Sequence, residues 1–194
     1  MQHHTKVILI PANGGSKSTD GWLHYVQSEL TTLGFEVINK EFPDSVLARE
    51  EFWLPFIKEL GADENTILIG HSSGAEAVMR YVEKNKVLGT VLVGACYTDL
   101  GEENEKQSGY YNRPWDWQAI KNNQKWIIQF ASTDDPFIPL EEARFVNNQL
   151  HAEYFEYTGR GHFMTTKFPE LIDAIKSKTK NLTQMVNTKN TKIV

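Results

Sequence analysis

The sequence has few of the features that mark secreted, membrane-spanning or nucleic-acid-binding proteins. It contains one cysteine, Cys96, so no disulfide can form within the chain. No apolar run approaches the roughly 20 residues of a membrane-spanning helix or the shorter core of a signal peptide. Lys and Arg total 20 against 25 Asp and Glu, whereas nucleic-acid binding draws on clustered cations. We therefore expect a cytoplasmic protein that binds neither membranes nor nucleic acid.

Short apolar segments alternate with amphipathic ones along the 194 residues. The apolar segments predict strands at 7–11, 36–42, 66–70, 89–95, 125–132 and 152–158. Apolar residues at three- and four-residue steps predict helices at 22–33, 52–60, 75–82, 139–150 and 167–179, with a short one at 116–122. Such alternation predicts an α/β three-layer sandwich, in which a mostly parallel sheet of about six strands carries helices on both faces.

The C-terminal segment differs in composition from the rest of the chain. No acidic residue follows Asp173, whereas five lysines do. We predict that residues 1–180 form a single domain and that residues 181–194 form a flexible basic tail. The alternative is that these lysines contact an acidic partner.

Gly70-His71-Ser72-Ser73-Gly74 fits the pattern G-x-S-x-G between a predicted strand and a predicted helix. In an α/β fold this pattern forms a nucleophile elbow, a sharp turn that exposes the central serine. Glycines flank the turn because neighbouring backbone crowds it. The pattern puts Ser72 at the apex, ahead of its neighbour Ser73. A helix N-terminus there favours developing negative charge.

A serine hydroxyl needs a base, and later strands end in suitable residues. Asp134 and Asp135 follow the fifth predicted strand, and His162 follows the sixth after a glycine-rich turn. Carboxyl ends of parallel strands meet at one edge of the sheet. We predict a triad of Ser72, His162 and Asp135 in the chain order of this elbow class. For the acid, Asp134 and Asp99 remain alternatives.

The oxyanion of such a reaction needs two backbone N–H donors. The N–H of Ser73, directly after the nucleophile, is one candidate by the geometry of the elbow. The second should come from the loop after the first strand, where Asn13 and Gly14 are the candidates.

Aromatic residues after two strands are candidates for the substrate pocket. Tyr111 and Trp115 lie in the segment 108–117, and Phe137 follows the acidic pair. We predict that they bind substrate, while packing in the core is the alternative for the aromatic segment. No His, Cys, Asp and Glu cluster has metal-ligand spacing, and no phosphate-binding loop is complete, so we predict no metal or other cofactor. Cys96 is an alternative nucleophile, but no elbow surrounds it.

Longer segments carry a family resemblance: VILIPANGG, AREEFWLPF, IGHSSGAEAVMRY, QFASTDDPFIP and GRGHF. From about residue 6 to 180 the chain resembles the retinoblastoma-binding protein nine family, small serine hydrolases of the α/β-hydrolase superfamily. The resemblance implies a compact α/β-hydrolase domain without a large cap, with Ser72 as nucleophile, His162 as base and Asp135 as the acid. It also implies esterase- or aminopeptidase-like activity on small esters or amides through an acyl-enzyme.

The family name comes from a contact with the retinoblastoma protein through a Leu-x-Cys-x-Glu segment. The matching residues here are Leu60-Gly61-Ala62-Asp63-Glu64, which lack the cysteine. We therefore do not expect that partner. The alternative to an enzyme is a protein-binding module that keeps the hydrolase scaffold with weak or vestigial catalysis.

Overall fold

A computed structural model describes residues 5–190, with side chains through residue 180, and residues 1–4 and 191–194 lie outside it. That range contains six strands and seven helices, with one helix between successive strands except that two helices join the fourth strand to the fifth. In chain order these are β1 (Lys6–Ile10), α1 (Leu23–Thr32), β2 (Glu36–Asn39), α2 (Glu50–Glu59), β3 (Thr66–His71), α3 (Ser73–Val82), β4 (Gly89–Val93), α4 (Glu103–Ser108), α5 (Trp117–Asn122), β5 (Ile127–Ser132), α6 (Leu140–Leu150), β6 (Glu153–Tyr157) and α7 (Pro169–Asn190).

The strands form one parallel sheet in the order β2-β1-β3-β4-β5-β6. The predicted fold class, a six-stranded parallel sheet in an α/β sandwich, is confirmed. From β1 the chain first runs outward to β2 and then returns to the other side of β1 with β3. The strand order thus reverses between β1 and β3, and in open α/β sheets a crevice forms outside the carboxyl ends of the strands at such a point.

Side chains alternate between two apolar layers, one on each face of the sheet. On β1, Ile8 and Ile10 join the layer packed under α2, α3, α5 and α6, whereas Val7 and Leu9 join the layer under α1 and α7. Since both faces are covered, β1, β3 and β4 are apolar almost throughout. The sheet is therefore a rigid base for the loops at its carboxyl edge.

Several elements differ from the sequence prediction. β2 ends at Asn39, before the predicted residue 42, and α2 begins at Glu50, before the predicted residue 52. The helix α4 was not predicted, because its sequence ENEKQS has no apolar period. The backbone of residues 181–190 continues α7, while residues 191–194 of the predicted tail lie outside the described residues. No helix in the described range is long and apolar enough to cross a bilayer.

Candidate active site

The turn between β3 and α3 is one residue long, and that residue is Ser72. Its backbone has φ +54° and ψ −126°, a conformation that costs a non-glycine residue about 1–3 kcal/mol. Backbone hydrogen bonds hold it: the Ser72 N–H donates to the Val93 carbonyl at 2.8 Å, and the Ser72 carbonyl accepts from the N–H groups of Ala75 and Glu76 at 2.6 and 3.4 Å. The strain is thus retained by β4 on one side and by the start of α3 on the other.

The glycines on either side of the turn leave no room for a side chain. A Cβ at Gly70 would lie 2.2 Å from the Gly74 carbonyl oxygen, and one at Gly74 would lie 2.4 Å from the Pro11 carbonyl oxygen. Both contacts are with backbone, which cannot rotate aside. The G-x-S-x-G pattern is therefore a steric requirement of this turn.

His162 lies in the loop between β6 and α7 and pairs with Asp135 after β5. Its Nδ1 is 2.7 Å from Asp135 Oδ2, and both side chains are at least nine-tenths buried. Asp135 Oδ1 accepts from the N–H groups of Phe137 and Ile138 at 2.9 and 3.1 Å. Burial raises the pKa of Asp135, but the hydrogen bonds, led by that of His162, outweigh it and lower the pKa. The ionised carboxylate fixes the proton of a neutral His162 on Nδ1, which leaves a lone pair on Nε2.

Asp134 has a different set of partners from its neighbour. Its Oδ1 accepts from the Ser132 hydroxyl at 2.6 Å and from the N–H groups of Gly159 and Gly161 at 2.9 and 3.3 Å. The hydrogen bond from Ser132 lowers the pKa of Asp134 most, so this carboxylate is ionised too. Asp134 thus fastens the turn that precedes His162 to the end of β5.

Asp99 and Cys96, which the sequence also left as candidates, are not bonded to His162. Asp99 Oδ1 accepts from the Gly101 N–H at 2.8 Å, within its own loop. Cys96 is buried, and burial raises the pKa of its thiol well above the usual range, which removes the reactive thiolate. Of the three candidate acids, Asp135 is the one bonded to His162.

Ser72 and His162 line the same cavity, which has a volume of about 610 Å³. The carboxyl end of β4 lies between them. The Val93 carbonyl accepts a hydrogen bond from the Ser72 N–H. A Cβ on the next residue, Gly94, would lie 3.2 Å from His162 Cε1. The cavity opens at the carboxyl edge where the strand order reverses, and it brings the hydroxyl and the imidazole to one space.

The candidate oxyanion donors from the sequence differ in availability. Ser73 is the first residue of α3, and its N–H has no acceptor among the described residues. The Gly14 N–H donates to the Val46 carbonyl at 3.0 Å, so it is not free for a substrate. Asn13 lines the cavity, and the hydrogen bonds described for its loop leave its N–H unused. Gly14 was a candidate only because the partner 32 residues away is not visible in the sequence.

Three glutamates form one side of the cavity, here called the acidic wall: Glu76, Glu102 and Glu105. Glu76 is 1 % exposed and accepts from the Cys96 N–H at 2.9 Å. Glu105 accepts from Asn13 Nδ2 at 2.7 Å. Burial raises the pKa of both Glu76 and Glu105. No Lys or Arg of the described residues lines this cavity.

Sequence reasoning missed the acidic wall, although one signal was present. Glu76 is a charged residue in the middle of α3, where every residue is buried. A buried carboxyl costs free energy unless it is paired or neutral, which marks such a position as functional or structural.

Tyr111 and Phe137, two of the predicted substrate-binding residues, line the cavity. The Tyr111 hydroxyl is 3.2 Å from Cys96 Sγ and faces the acidic wall. Phe137 is 64 % exposed at the mouth, with its ring 5.1 Å from the ring of His162. An exposed aromatic ring beside the imidazole is available to contact an apolar part of a ligand.

Trp115, the third predicted substrate-binding residue, does not line this cavity within the described structure. The guanidinium of Arg80 lies 3.6 Å from its ring, and its Nε1 donates to the Tyr97 carbonyl at 2.9 Å. Arg80 is fully buried and also donates to the carbonyls of Tyr110 and Arg113. This long-range contact places the ring against the core, as in the packing alternative for the aromatic segment.

No group of three or more His, Cys, Asp and Glu side chains in the described part of the chain is arranged to hold a metal ion. The site combines a strained serine and an imidazole, which line one cavity, with a carboxylate hydrogen-bonded to that imidazole. This arrangement can perform nucleophilic acyl transfer.

Comparison with known proteins gives concordant matches over most of the chain. A family model described as "Serine hydrolase" matches residues 7–170. "Serine hydrolase RBBP9" of Rattus norvegicus is 49% identical over 180 residues, which cover 91% of this chain and 97% of that protein. The crystal structure of the ydeN gene product from B. subtilis has a TM-score of 0.83 at 24% identity, covering 91% of this chain and 99% of that one. An esterase, RhEst1 from Rhodococcus sp. ECU1013, shares the fold with a TM-score of 0.63 at 15% identity, covering 90% of each chain.

Proposed function

This chain belongs to the serine hydrolase family, and on that premise we propose that it hydrolyses small carboxylic esters or amides through an acyl-enzyme on Ser72. The observation that carries the proposal is the 2.7 Å bond between His162 and Asp135, at a cavity that Ser72 also lines. The family membership agrees with the resemblance found in the sequence and supports a hydrolase. Beyond a hydrolase, we propose that the substrate is an ester or amide and that each residue has the role given below.

In the proposed reaction, Ser72 Oγ attacks the substrate carbonyl carbon and His162 Nε2 accepts the hydroxyl proton. Asp135 stabilises the imidazolium through Nδ1 and keeps the ring in one tautomer. The tetrahedral intermediate expels the alcohol or amine, which takes the proton from His162, and an acyl-enzyme remains. Water then attacks the acyl carbon by the same steps and frees Ser72.

We assign the oxyanion site to the Ser73 N–H, with the Asn13 N–H as the second donor. The Ser73 N–H has no acceptor in the described range, and it lies at the positive end of the α3 dipole, which supports this assignment. Loss of one such donor raises the barrier by about 2.7–4 kcal/mol in enzymes of this kind.

The cavity lining favours substrates of particular charge. An anionic acyl group would lose water in a cavity that no Lys or Arg of the described residues lines, beside carboxyl groups whose own anionic forms are disfavoured by burial. Neutral acyl groups, or acyl groups with an amine, fit better. A panel of esters with one common alcohol and acyl chains ending in methyl, amine or carboxylate tests this. We expect the lowest kcat/KM for the carboxylate, and equal values for carboxylate and methyl would overturn the inference about charge.

Labelling with a fluorophosphonate probe tests the nucleophile directly. We expect the wild type and Ser73→Ala to be labelled and Ser72→Ala not to be. Ser73→Ala is a matched control because the Ser73 hydroxyl is buried and has no hydrogen-bond partner among the described residues. Labelling that survives Ser72→Ala but not Ser73→Ala would show that Ser73 is the nucleophile. An unlabelled wild type would favour a protein-binding module with vestigial catalysis.

A further inference from the structure

His71 is the last residue of β3 and directly precedes Ser72. It is 7 % exposed, with its ring 5.6 Å from that of Trp22 and 4.9 Å from that of His162. Its Nε2 lies 2.9 Å from the backbone carbonyl oxygen of His162. The residue next to the proposed nucleophile thus contacts the main chain of the proposed base.

The direction of this hydrogen bond follows from the chemistry of the two groups. Burial lowers the pKa of His71 to about 4, so the ring is neutral near pH 7 and carries one N–H. A carbonyl oxygen only accepts hydrogen bonds, so the proton of His71 is on Nε2. His71 is therefore a buried donor fixed in one tautomer by its partner.

The carbonyl that accepts this bond lies in a strained stretch of backbone. It belongs to the peptide between His162 and Phe163, and Phe163 has φ +55°. A left-handed conformation is unfavourable for a bulky L-residue, so surrounding contacts must retain it. Ser72 is strained in the same sense, with φ +54°. The His71 side chain links these two strained points across the edge of the sheet.

We propose that His71 is a positioning residue: its N–H holds the peptide after His162 so that the imidazole keeps its aim at Ser72. Asp135 bonds only the ring of His162, at Nδ1, which leaves the main chain that carries the ring to be held by other groups. His71 supplies that second anchor. This inference rests on the proposed function, in which His162 is the base.

Four variants test the inference with kcat and KM for a small ester: His71→Phe, His71→Asn, His71→Gln and the control His24→Gln. Phe keeps a ring against Trp22 but has no donor, and Asn is too short to reach the carbonyl. Gln carries an N–H at a similar reach to Nε2. His24 is an exposed histidine on α1, so its replacement alters no contact of the site.

Misplacement of a catalytic group by about 1 Å can cost on the order of 100-fold in rate. We expect kcat of His71→Phe and His71→Asn to fall roughly 10- to 100-fold, with KM within about twofold of wild type. His71→Gln should recover kcat to within about threefold, and His24→Gln should match wild type. If His71→Phe fails to fold, His71→Asn and His71→Gln still decide the matter. Full kcat in both His71→Phe and His71→Asn, or a Gln variant as slow as the Asn variant, would overturn the proposal.

A spectroscopic measurement in the resting enzyme separates positioning from general stability. The proton shared by His162 Nδ1 and Asp135 should give a resolved downfield proton resonance, which broadens in His71→Asn and stays sharp in His71→Gln. An unchanged resonance in His71→Asn would contradict a role through His162. His162→Ala distinguishes the two proposals: wild-type activity in it would refute the proposed function. Lost activity in it beside a fully active His71→Asn would refute the positioning role alone.

Discussion

The nucleophile elbow, residues 70–75, and the base loop, residues 158–164, lie at the same edge of the sheet and each holds a strained non-glycine residue. In the elbow that residue is Ser72, and in the base loop it is Phe163, with φ of +54° and +55°. Both segments supply one side chain to the shared cavity, Ser72 and His162. They differ in the origin of the contacts that retain the strain.

The elbow is held mainly by backbone that fits closely around it, including the Gly70 and Gly74 contacts and the Val93 carbonyl. The base loop is held largely by side chains from other parts of the chain. Asp134 binds its N–H groups, and His71 binds its carbonyl. A steric change should therefore unfold the elbow, whereas removal of one polar group should misalign the base loop and leave the fold intact.

The largest expected effect comes from removing the charge that orients the base in the proposed reaction. Asp135→Asn presents an amide to His162, which favours the wrong tautomer, and we expect kcat to fall about 10⁴-fold without loss of the fold. The measurement is kcat on a small ester, with circular dichroism to verify the fold. Asp134→Asn is the matched control, because it removes the same charge from the adjacent residue.

For Asp134→Asn we expect kcat to fall only about tenfold, since that side chain acts on the turn before His162 and not on the ring. Equal losses of kcat in the two variants would show that the hydrogen bond between Asp135 and the His162 ring matters no more for the rate than the hydrogen bonds between Asp134 and the loop. A kcat of Asp135→Asn within tenfold of wild type would remove Asp135 from the proposed triad.

A steric change in the elbow is the next largest effect. Gly70→Ala would place a Cβ 2.2 Å from the Gly74 carbonyl oxygen, so backbone on both sides of Ser72 must move. We expect the free energy of unfolding to fall by roughly 4 kcal/mol or more, at the upper end of single-residue effects. Urea unfolding measures it. Gly101→Ala is the control, because the positive φ at this position strains the alanine while no atom lies within 4 Å of the added Cβ. Similar losses in the two would show that the elbow is not sterically closed.

The same contrast explains how much of the molecule could be predicted from its sequence. The strands were found because two-sided burial makes them apolar throughout, and the elbow because its steric rule is contained in five adjacent residues. Both signals are local. That the later acidic and histidine residues would lie near the elbow then followed from the rule that the carboxyl ends of parallel strands meet at one edge of the sheet.

What could not be predicted depends on contacts between distant residues. Arg80, 35 positions away in the chain, holds the Trp115 ring against the core, and the Val46 carbonyl accepts the hydrogen bond of the Gly14 N–H. Asp135 was the predicted acid, but what separates it from Asp134 is the direction in which each side chain leaves the turn, which adjacent residues of one type do not reveal. The base loop could be located from the sequence, but the contacts that hold it could not.

The smallest expected effect concerns His71, which belongs to the elbow and acts on the base loop. Its pKa is lowered by burial from 6.5 to about 4, and the titratable groups facing it are His162 and Asp135. Between pH 4 and 6.5 the unfolded chain therefore binds a proton at His71 that the folded chain does not. The contribution of the neutral His71 to the free energy of unfolding is thus complete above pH 6.5 and is lost as the pH falls toward 4. Relative to His71→Gln, which keeps the other groups, the wild type should lose up to about 3 kcal/mol over that range, since one pKa unit is worth about 1.4 kcal/mol. Urea midpoints of the two proteins at several pH values measure the difference, and parallel curves from pH 7 to 4 would mean that His71 is not held neutral between the elbow and the base loop.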